Sequence, residues 1–294
     1  MTRLALGTVQ FGLNYGVANK GGIVSQENVK AILKIARGSG VDTLDTAIDY
    51  GNSENCLGQI GIHGFKVITK LPAIPENQFN VKGWVHHQIN LSLQRLGEQK
   101  LYGLLLHRPA QLADEPGAEL ADSLMRLKAD GLVEKVGISI YDPDELESAM
   151  AHMNIDLVQA PLNVFDRRLV SSGWLDRLHD AGVEVHTRSA FLQGLLLMPR
   201  QNIPAKFARW HRLFDAWHQW LETNGQSATE ACLQYALSFH QISRVVVGVE
   251  GLSQLAEICA AAQLRNTLPT PVAFSGVDMD LINPSRWVFL PESG

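Results

Sequence analysis

The 294 residues are 46% hydrophobic and 19% charged, with a formal net charge of -5, a balance that supplies a sizeable core and excludes a disordered chain. Lysine and arginine are scattered rather than gathered on a stripe, which argues against a nucleic-acid footprint. No apolar run reaches the ~20 residues of a membrane helix and no signal-peptide pattern opens the chain, so a cytoplasmic protein without a membrane partner is expected.

Short β-rich apolar runs alternate with longer amphipathic stretches, the pattern of βα units around a parallel sheet. In chain order the predicted strands are Leu4 to Thr8, Val41 to Asp45, Phe65 to Lys70, Leu101 to His107, Val133 to Ser139, Asp156 to Ala160, Val183 to Ser189 and Arg244 to Gly248. Their near-continuous apolar character suits strands covered on both faces. Eight of them predict an α/β fold, a (β/α)8 TIM barrel, which uses roughly 250 residues as one unit. No linker splits the chain, so residues 1–294 are expected to form a single domain. Ser227, with Glu230 three residues on, predicts a capping box before an amphipathic helix. Ahead of it, Phe207, Trp210, Phe214 and Trp217 recur at helical spacing and predict an extra helix around 203–222. Its aromatic face would dock on the barrel, or line a substrate pocket or subunit contact. Residues around 266–294 follow as a C-terminal extension. The three cysteines, Cys56, Cys232 and Cys259, lie far apart and outside any CxxC spacing, so reduced core thiols are expected and no metal site.

Barrels of this kind carry their active sites at the C-terminal ends of the strands. Asp45 ends the second predicted strand, Tyr50 follows in its loop, Lys70 ends the third and His107 the fourth. Singly, each has an ordinary reading: an Asp bonding loop backbone, a packed tyrosine, a solvent-reaching lysine, a satisfied core histidine. On consecutive strand ends they form a proton-transfer set, because a phenol of pKa near ~10 must be tuned before it can act as an acid at neutral pH. A Lys70 ammonium would stabilise developing phenolate on Tyr50, Asp45 would balance the lysine, and His107 would donate to a substrate oxygen.

At these residues the chain resembles the aldo-keto reductase superfamily, whose second-strand motif is Asp-Thr-Ala, two variable residues, Tyr-Gly, one variable residue and Ser-Glu. Here it reads DTAIDYGNSE from Asp45 to Glu54. GTVQFG from Gly7, ITK ending at Lys70, LLLH ending at His107, VGIS ending at Ser139, Gln159, RSAFLQGLL from Arg188 and VVVGVEGLSQLAE ending at Glu257 follow in order. The resemblance implies reduction of an aldehyde or ketone to an alcohol with NADP(H) or NAD(H), Tyr50 being the proton donor. It implies nicotinamide contacts from Ser139 and Gln159, and further cofactor contacts from Gly7, Thr8, Arg188 and Ser189. Gly248, Glu250, Gln254 and Glu257 are implied around the adenosine phosphates, where helix N-terminal amides attract anions. Loops carrying Asn14, Tyr15, Asn163 and Phe165 are expected to form the substrate pocket, with the segment around Trp287 as a further wall.

The chain departs from the family pattern in several places. Ile140 stands where an Asn commonly follows the carboxamide-binding Ser. Arg188 stands where an aromatic often stacks on the nicotinamide, although a guanidinium plane can also lie against a ring. Glu250, Gly251 and Ile258 replace the frequent Ser, Ser and Asn. A carboxylate at 250 would repel a 2′-phosphate and could accept from the ribose hydroxyls of NADH, so preference for NADPH is expected to be weak or reversed. The FDRR segment, Phe165 to Arg168, is similar to sequences that accompany bacterial polysaccharide or sugar-modifying pathways and implies a carbohydrate-derived carbonyl; its plain reading is a surface ion-pair cluster. Two other functions stay open: a cofactor-binding regulatory or interaction subunit, and a non-redox barrel using Lys70 as a Schiff-base nucleophile.

Overall fold

Each strand pairs in parallel with its sequence neighbour, and β1 with β8, so the sheet closes into a barrel. The structure is a computed structural model, and it describes residues 2–264, Phe274 and 278–290. The strands are β1 Leu4–Gly7, β2 Thr43–Asp45, β3 Lys66–Leu71, β4 Leu101–Leu106, β5 Val133–Ser139, β6 Leu157–Pro161, β7 Glu184–Arg188 and β8 Ile242–Gly248. Outside them run α1 Gln26–Gly38, α2 Ser53–Ile60, α3 Val81–Leu96, α4 Gly117–Ala129, α5 Glu145–His152, α6 Arg168–Ser171, α7 Trp174–Asp180, α8 His211–Asn224, α9 Ala228–Leu237 and α10 Leu252–Ala261. This is the (β/α)8 architecture that the alternation predicts. The ends differ most at β2, which starts at Thr43 rather than Val41, and at β8, which starts at Ile242 rather than Arg244. Val41 leaves the ladder because its amide donates to Ala36 O at 2.9 Å, closing the end of α1.

Strand alternation sends every second side chain inward. Ile68, Leu105 and Leu157 meet inside the barrel as a small cluster, apart from the large core between strands and helices. Glu184 joins its hydroxyl and ring partners there: Tyr102 Oη donates to its Oε2 at 2.7 Å, and His186 Nε2 lies 2.6 Å from its Oε1. The three cysteines are buried free thiols.

The aromatic run predicted as one helix forms a 3-10 segment, Ala205–Trp210, followed by α8. Its face docks on the barrel: Phe207, Phe214 and Trp217 are fully buried, and Trp217 Nε1 donates to Leu196 O at 3.1 Å. The capping box of α9 is present, with Ser227 and Glu230 each accepting from the other's backbone. Of the C-terminal extension, residues 265–273, 275–277 and 291–294 lie outside the described residues. Trp287 packs edge-on against Phe207 with centroids 4.9 Å apart and donates to Leu281 O, so it joins the aromatic layer rather than walling a pocket.

Glu54, at the start of α2, ties this frame together after the β2 loop. It is 2% exposed; its Oε1 accepts from Thr69 and Ser92 hydroxyls, both at 2.7 Å, and its Oε2 from Arg95 Nε at 2.7 Å. One carboxylate thus fixes α2 to β3 and α3. Glu54→Ala strands two buried hydroxyls and a part-buried guanidinium, and is expected to cost about 3 kcal/mol, the low end for breaking a buried pair because Arg95 reaches solvent. Urea unfolding measures this, and an unmoved midpoint would show that the network contributes nothing to stability.

Candidate active site

A cavity of about 500 Å³ opens at the C-terminal ends of the strands, lined by Asp45, Tyr50 and His107 among others. Lys70 lies beneath it, 1% exposed. Its Nζ donates to Asp45 Oδ2 at 2.8 Å and to Thr46 O at 2.9 Å, and stands 4.9 Å from the Tyr50 ring centroid. Burial acts to lower the lysine pKa, but Asp45 and Tyr50 outweigh it and hold the ammonium above its ordinary value. A lysine whose Nζ is engaged by Asp45 and Thr46 O in this way suits stabilising a phenolate rather than attacking a carbonyl. Burial pushes the Tyr50 phenol up, opposed by the positive charges of Lys70 and Arg188. The phenol therefore holds its proton at neutral pH next to a cation ready to receive phenolate.

His107 meets Tyr50 edge to face, with ring centroids 6.1 Å apart. Burial lowers its pKa, as do the charges of Lys70 and Arg108, while Asp49 opposes them from 3.8 Å. The neutral imidazole keeps one N–H to donate. The turn that carries Tyr50 is packed so tightly on the β1 loop that a Cβ on Gly12 would lie 1.9 Å from Tyr50 O. Only glycine fits there.

The other half of the cavity is built by β1, β5, β6 and β8. Gln159 Nε2 donates to Asp45 Oδ1 at 2.7 Å, and Ser139 Oγ reaches Gln159 Oε1 only at 3.4 Å. Thr8 donates its hydroxyl to Asp45 O at 3.1 Å while lining the cavity. Gln10 also lines it, with a buried Oε1 that has no partner among the described residues. A Cβ on Gly248 would meet the Gln10 amide at 2.7 Å. Beyond β8, α10 begins with Gly251 at its N-cap and no side-chain cap, so its first amides stay available. Glu250 lines the cavity, its amide donating to Gln254 Oε1 at 2.8 Å; burial pushes its carboxyl up, with no base contributing. A loosely engaged hydroxyl, an orphaned amide oxygen and an uncapped helix start fit the carboxamide, hydroxyls and phosphates of a nicotinamide dinucleotide.

Gly7, Tyr15 and Ser189 also line the cavity, as does Arg188, whose guanidinium lies 4.6 Å over the Tyr141 ring and donates to Ile140 O at 2.8 Å. Besides Lys70 beneath the floor, four expected residues do not. Asn14 is exposed outside the lining, where Tyr15 and Gln193 stand instead. Phe165 is 1% exposed among Phe214, Trp217 and Phe274, a core side chain. Asn163 is a buried bracket: its Oδ1 accepts from the amides of Phe165 and Asp166, and its Nδ2 donates to Ser189 O. Glu257 is exposed on α10, one turn past Gln254 and about 4.5 Å further along the helix. Nor is the FDRR segment a surface cluster, since Asp166 is fully buried and pairs with Arg168 at 2.7 Å. Gln10, Lys20, Tyr141, Phe191, Gln193 and Asn202 line the cavity without having been expected to. Gln10 stands inside the GTVQFG motif, and Phe191 and Gln193 inside RSAFLQGLL, signals that could have found them; Lys20, Tyr141 and Asn202 lie outside the quoted motifs.

Residues 3–269 match the model of the aldo/keto reductase family. The chain is 28% identical over 217 residues to the NADH-specific methylglyoxal reductase of Escherichia coli (strain K12), a match covering 67% of this chain and 65% of that protein. It is 27% identical to the L-galactose dehydrogenase of Arabidopsis thaliana, covering 99% of this chain and 92% of that one. Among solved structures, the holo form of an aldo-keto reductase from Bacillus halodurans shares the fold with a TM-score of 0.72 at 18% identity, covering 99% of this chain and 93% of that chain.

The electrostatics around His107 give a measurable outcome. Its NMR titration midpoint should fall below the ordinary histidine value of ~6.5, and Asp49→Asn should lower it further by removing the one opposing charge. The sign follows for stability: a depressed histidine pKa contributes stability present above ~6.5 and lost as pH falls through the folded value. A midpoint at or above 6.5 in the wild type would contradict the neutral donor.

Proposed function

The chain belongs to the aldo/keto reductase family, and on that premise we propose that it reduces a small carbonyl compound to its alcohol with NAD(P)H, Tyr50 delivering the proton. The observation that carries this reading is the stack of Asp45, Lys70 and Tyr50 at the cavity floor, a protonated phenol over a neutralised ammonium. When bound, the cofactor supplies the hydride. The substrate oxygen lies between Tyr50 Oη and the neutral His107, which donates to it and orients the carbonyl. As the carbon receives hydride, the oxygen gains negative charge and takes the Tyr50 proton. The phenolate left behind faces the Lys70 ammonium, whose charge Asp45 balances, so the step creates no uncompensated charge in the barrel. Ser139 and Gln159 would orient the nicotinamide carboxamide, and the α10 amides would meet its phosphates.

The names of the relatives, a methylglyoxal reductase and an L-galactose dehydrogenase, support a short oxygenated or carbohydrate-derived carbonyl as the substrate class. Among the described residues no helix is long and apolar enough to cross a membrane, and a cytoplasmic enzyme is the reading adopted. NADH is accepted at least as well as NADPH, because Glu250 presents a carboxylate with no basic partner among the described residues where a 2′-phosphate would otherwise be held.

Tyr50→Phe is expected to lower kcat by ~10² to 10⁴ with cofactor affinity nearly unchanged, as stopped-flow turnover and fluorescence titration would register. A variant that kept the wild-type rate would remove Tyr50 from the chemistry. Glu250→Ser should shift affinity towards NADPH, measured by titrating both reduced cofactors. If the wild type bound NADPH ~100-fold tighter than NADH, about 2.7 kcal/mol, and the substitution changed nothing, Glu250 would have no role in cofactor choice.

A further inference from the structure

Arg188 carries a charge the mechanism above does not use. It is half-buried at the end of β7 and lines the cavity. Of its donors, one Nη2 hydrogen goes to Ile140 O at 2.8 Å and one Nη1 hydrogen to Ser189 Oγ at 3.3 Å. Nε–H and a second hydrogen on each Nη have no partner among the described residues, and no carboxylate lies within ion-pair distance of the guanidinium. A half-buried guanidinium on the cavity wall therefore keeps donors free for an anion that enters the cavity. The other charges of the cavity cannot serve as its counter-ion: Asp45 is matched by Lys70 at 2.8 Å, and Glu250 stands beyond β8 beside Gln254.

The guanidinium is held in place by a built frame. Its plane rests on the Tyr141 ring. Tyr141 is gripped on both sides of its backbone, its amide donating to Glu145 Oε1 at 2.7 Å and its carbonyl accepting from Arg168 Nη2 at 3.0 Å. Arg168 is in turn fixed by the fully buried Asp166. On the other flank Ser189 adopts φ 62, a conformation L residues rarely take, and Asn163 Nδ2 holds its carbonyl at 3.0 Å. The charge so positioned lines the same cavity as the Tyr50 and Tyr15 phenols. Lys20, on the loop after β1, adds a second positive charge to the same lining.

We propose that Arg188 anchors an anionic group of the substrate, a carboxylate or phosphate carried on the same short chain as the carbonyl, so that the enzyme selects anionic carbonyl compounds over their neutral counterparts. This rests on the reductase reading above. A planar fork with free N–H donors suits bidentate binding of either group. With the anion on Arg188, the carbonyl end of a short chain is directed to Tyr50 and His107. The missing counter-ion then arrives with the substrate.

Matched pairs test it: succinic semialdehyde against butanal for the carboxylate, and glyceraldehyde 3-phosphate against glyceraldehyde for the phosphate. The ratio of kcat/KM within each pair is compared in wild type, Arg188→Met and Arg188→Lys, which cancels any common effect on the cofactor. The expected result is a wild-type ratio favouring the anion in at least one pair, a fall in that ratio of at least about tenfold in the Met variant, and partial recovery in the Lys variant. The pair that responds identifies carboxylate or phosphate. Equal losses on charged and neutral partners would overturn the proposal and show instead a guanidinium lying against the nicotinamide. Calorimetry with succinate and glycerol 3-phosphate, which carry the anions but no carbonyl, separates the two readings. Binding lost in Arg188→Met without any aldehyde being reduced would refute the reductase and leave the anchor standing; unchanged reduction of both partners would refute the anchor and leave the reductase.

Discussion

The ion pair of Lys70 and Asp45 is the constraint on which the site depends. Both side chains are withdrawn from water, 1% and 5% exposed, at a separation of 2.8 Å. Such a pair is poor value as a stabiliser, since desolvation offsets much of the attraction. It persists only where every remaining donor and acceptor is met. Thr46 O takes a second Lys70 hydrogen, and Asp45 Oδ1 accepts from Gln159, which is 114 residues away in the chain. That last bond spans the barrel interior from β6 to β2. The group of Asp45, Lys70 and Tyr50 is therefore complete only after the barrel has closed, and Gln159 and Ser139 are part of the same hydrogen-bonded chain as Lys70.

Much of this was legible in the sequence because it is written at two clear scales. The alternation of apolar runs and amphipathic stretches fixes the strand count, since burial on both faces leaves no freedom for polar interruption. The DTA and YG frame sets Tyr50 on a turn leaving β2, and strand ends carry Lys70 and His107 to the same mouth. What could not be seen is how long loops fold back. Asn163 and Phe165 follow β6 directly and invite assignment to a pocket, yet the docking of α8 buries Phe165 under Phe214 and Trp217. Once the ring turns inward, Asn163 must satisfy the backbone it exposes, and its amide is consumed by Phe165, Asp166 and Ser189. The FDRR charges go the same way. Spacing in sequence marks which residues are unusual, but only the fold decides which side of a loop faces the cavity.

The loop after β7 shows how that decision is enforced. Ser189, Leu192 and Gln193 all take positive φ, at 62, 47 and 54°, a conformation of some energetic cost for residues with a Cβ. The loop nonetheless stays because its neighbours fix it from several directions. Asn163 holds Ser189 O, Gln193 Nε2 donates to Tyr15 Oη at 3.0 Å, and a Cβ on Gly194 would already meet Ala18 at 2.6 Å. The loops after β1 and β7 thus touch across the cavity. Tyr15, the residue at that contact, has its phenol pushed up to about 12 by burial, so it stays a neutral donor at the mouth.

Charge is distributed unevenly along this enclosed space, and the unevenness has a direction. Lys70 and Asp45 cancel at the floor, leaving Arg188 and Lys20 as the positive groups of the lining and Glu250 as the unpaired negative one. A dinucleotide brings its own negative phosphates, which the uncapped start of α10 would meet with backbone amides rather than with side-chain cations. Amide donors bind the backbone phosphates common to both nicotinamide cofactors and do not discriminate between them. On the proposed reading the choice of cofactor would fall to Glu250, while the positive lining side chains would act on the substrate. Arg188 has no carboxylate partner among the described residues, and that supports assigning its charge to the substrate proposed above rather than to the cofactor.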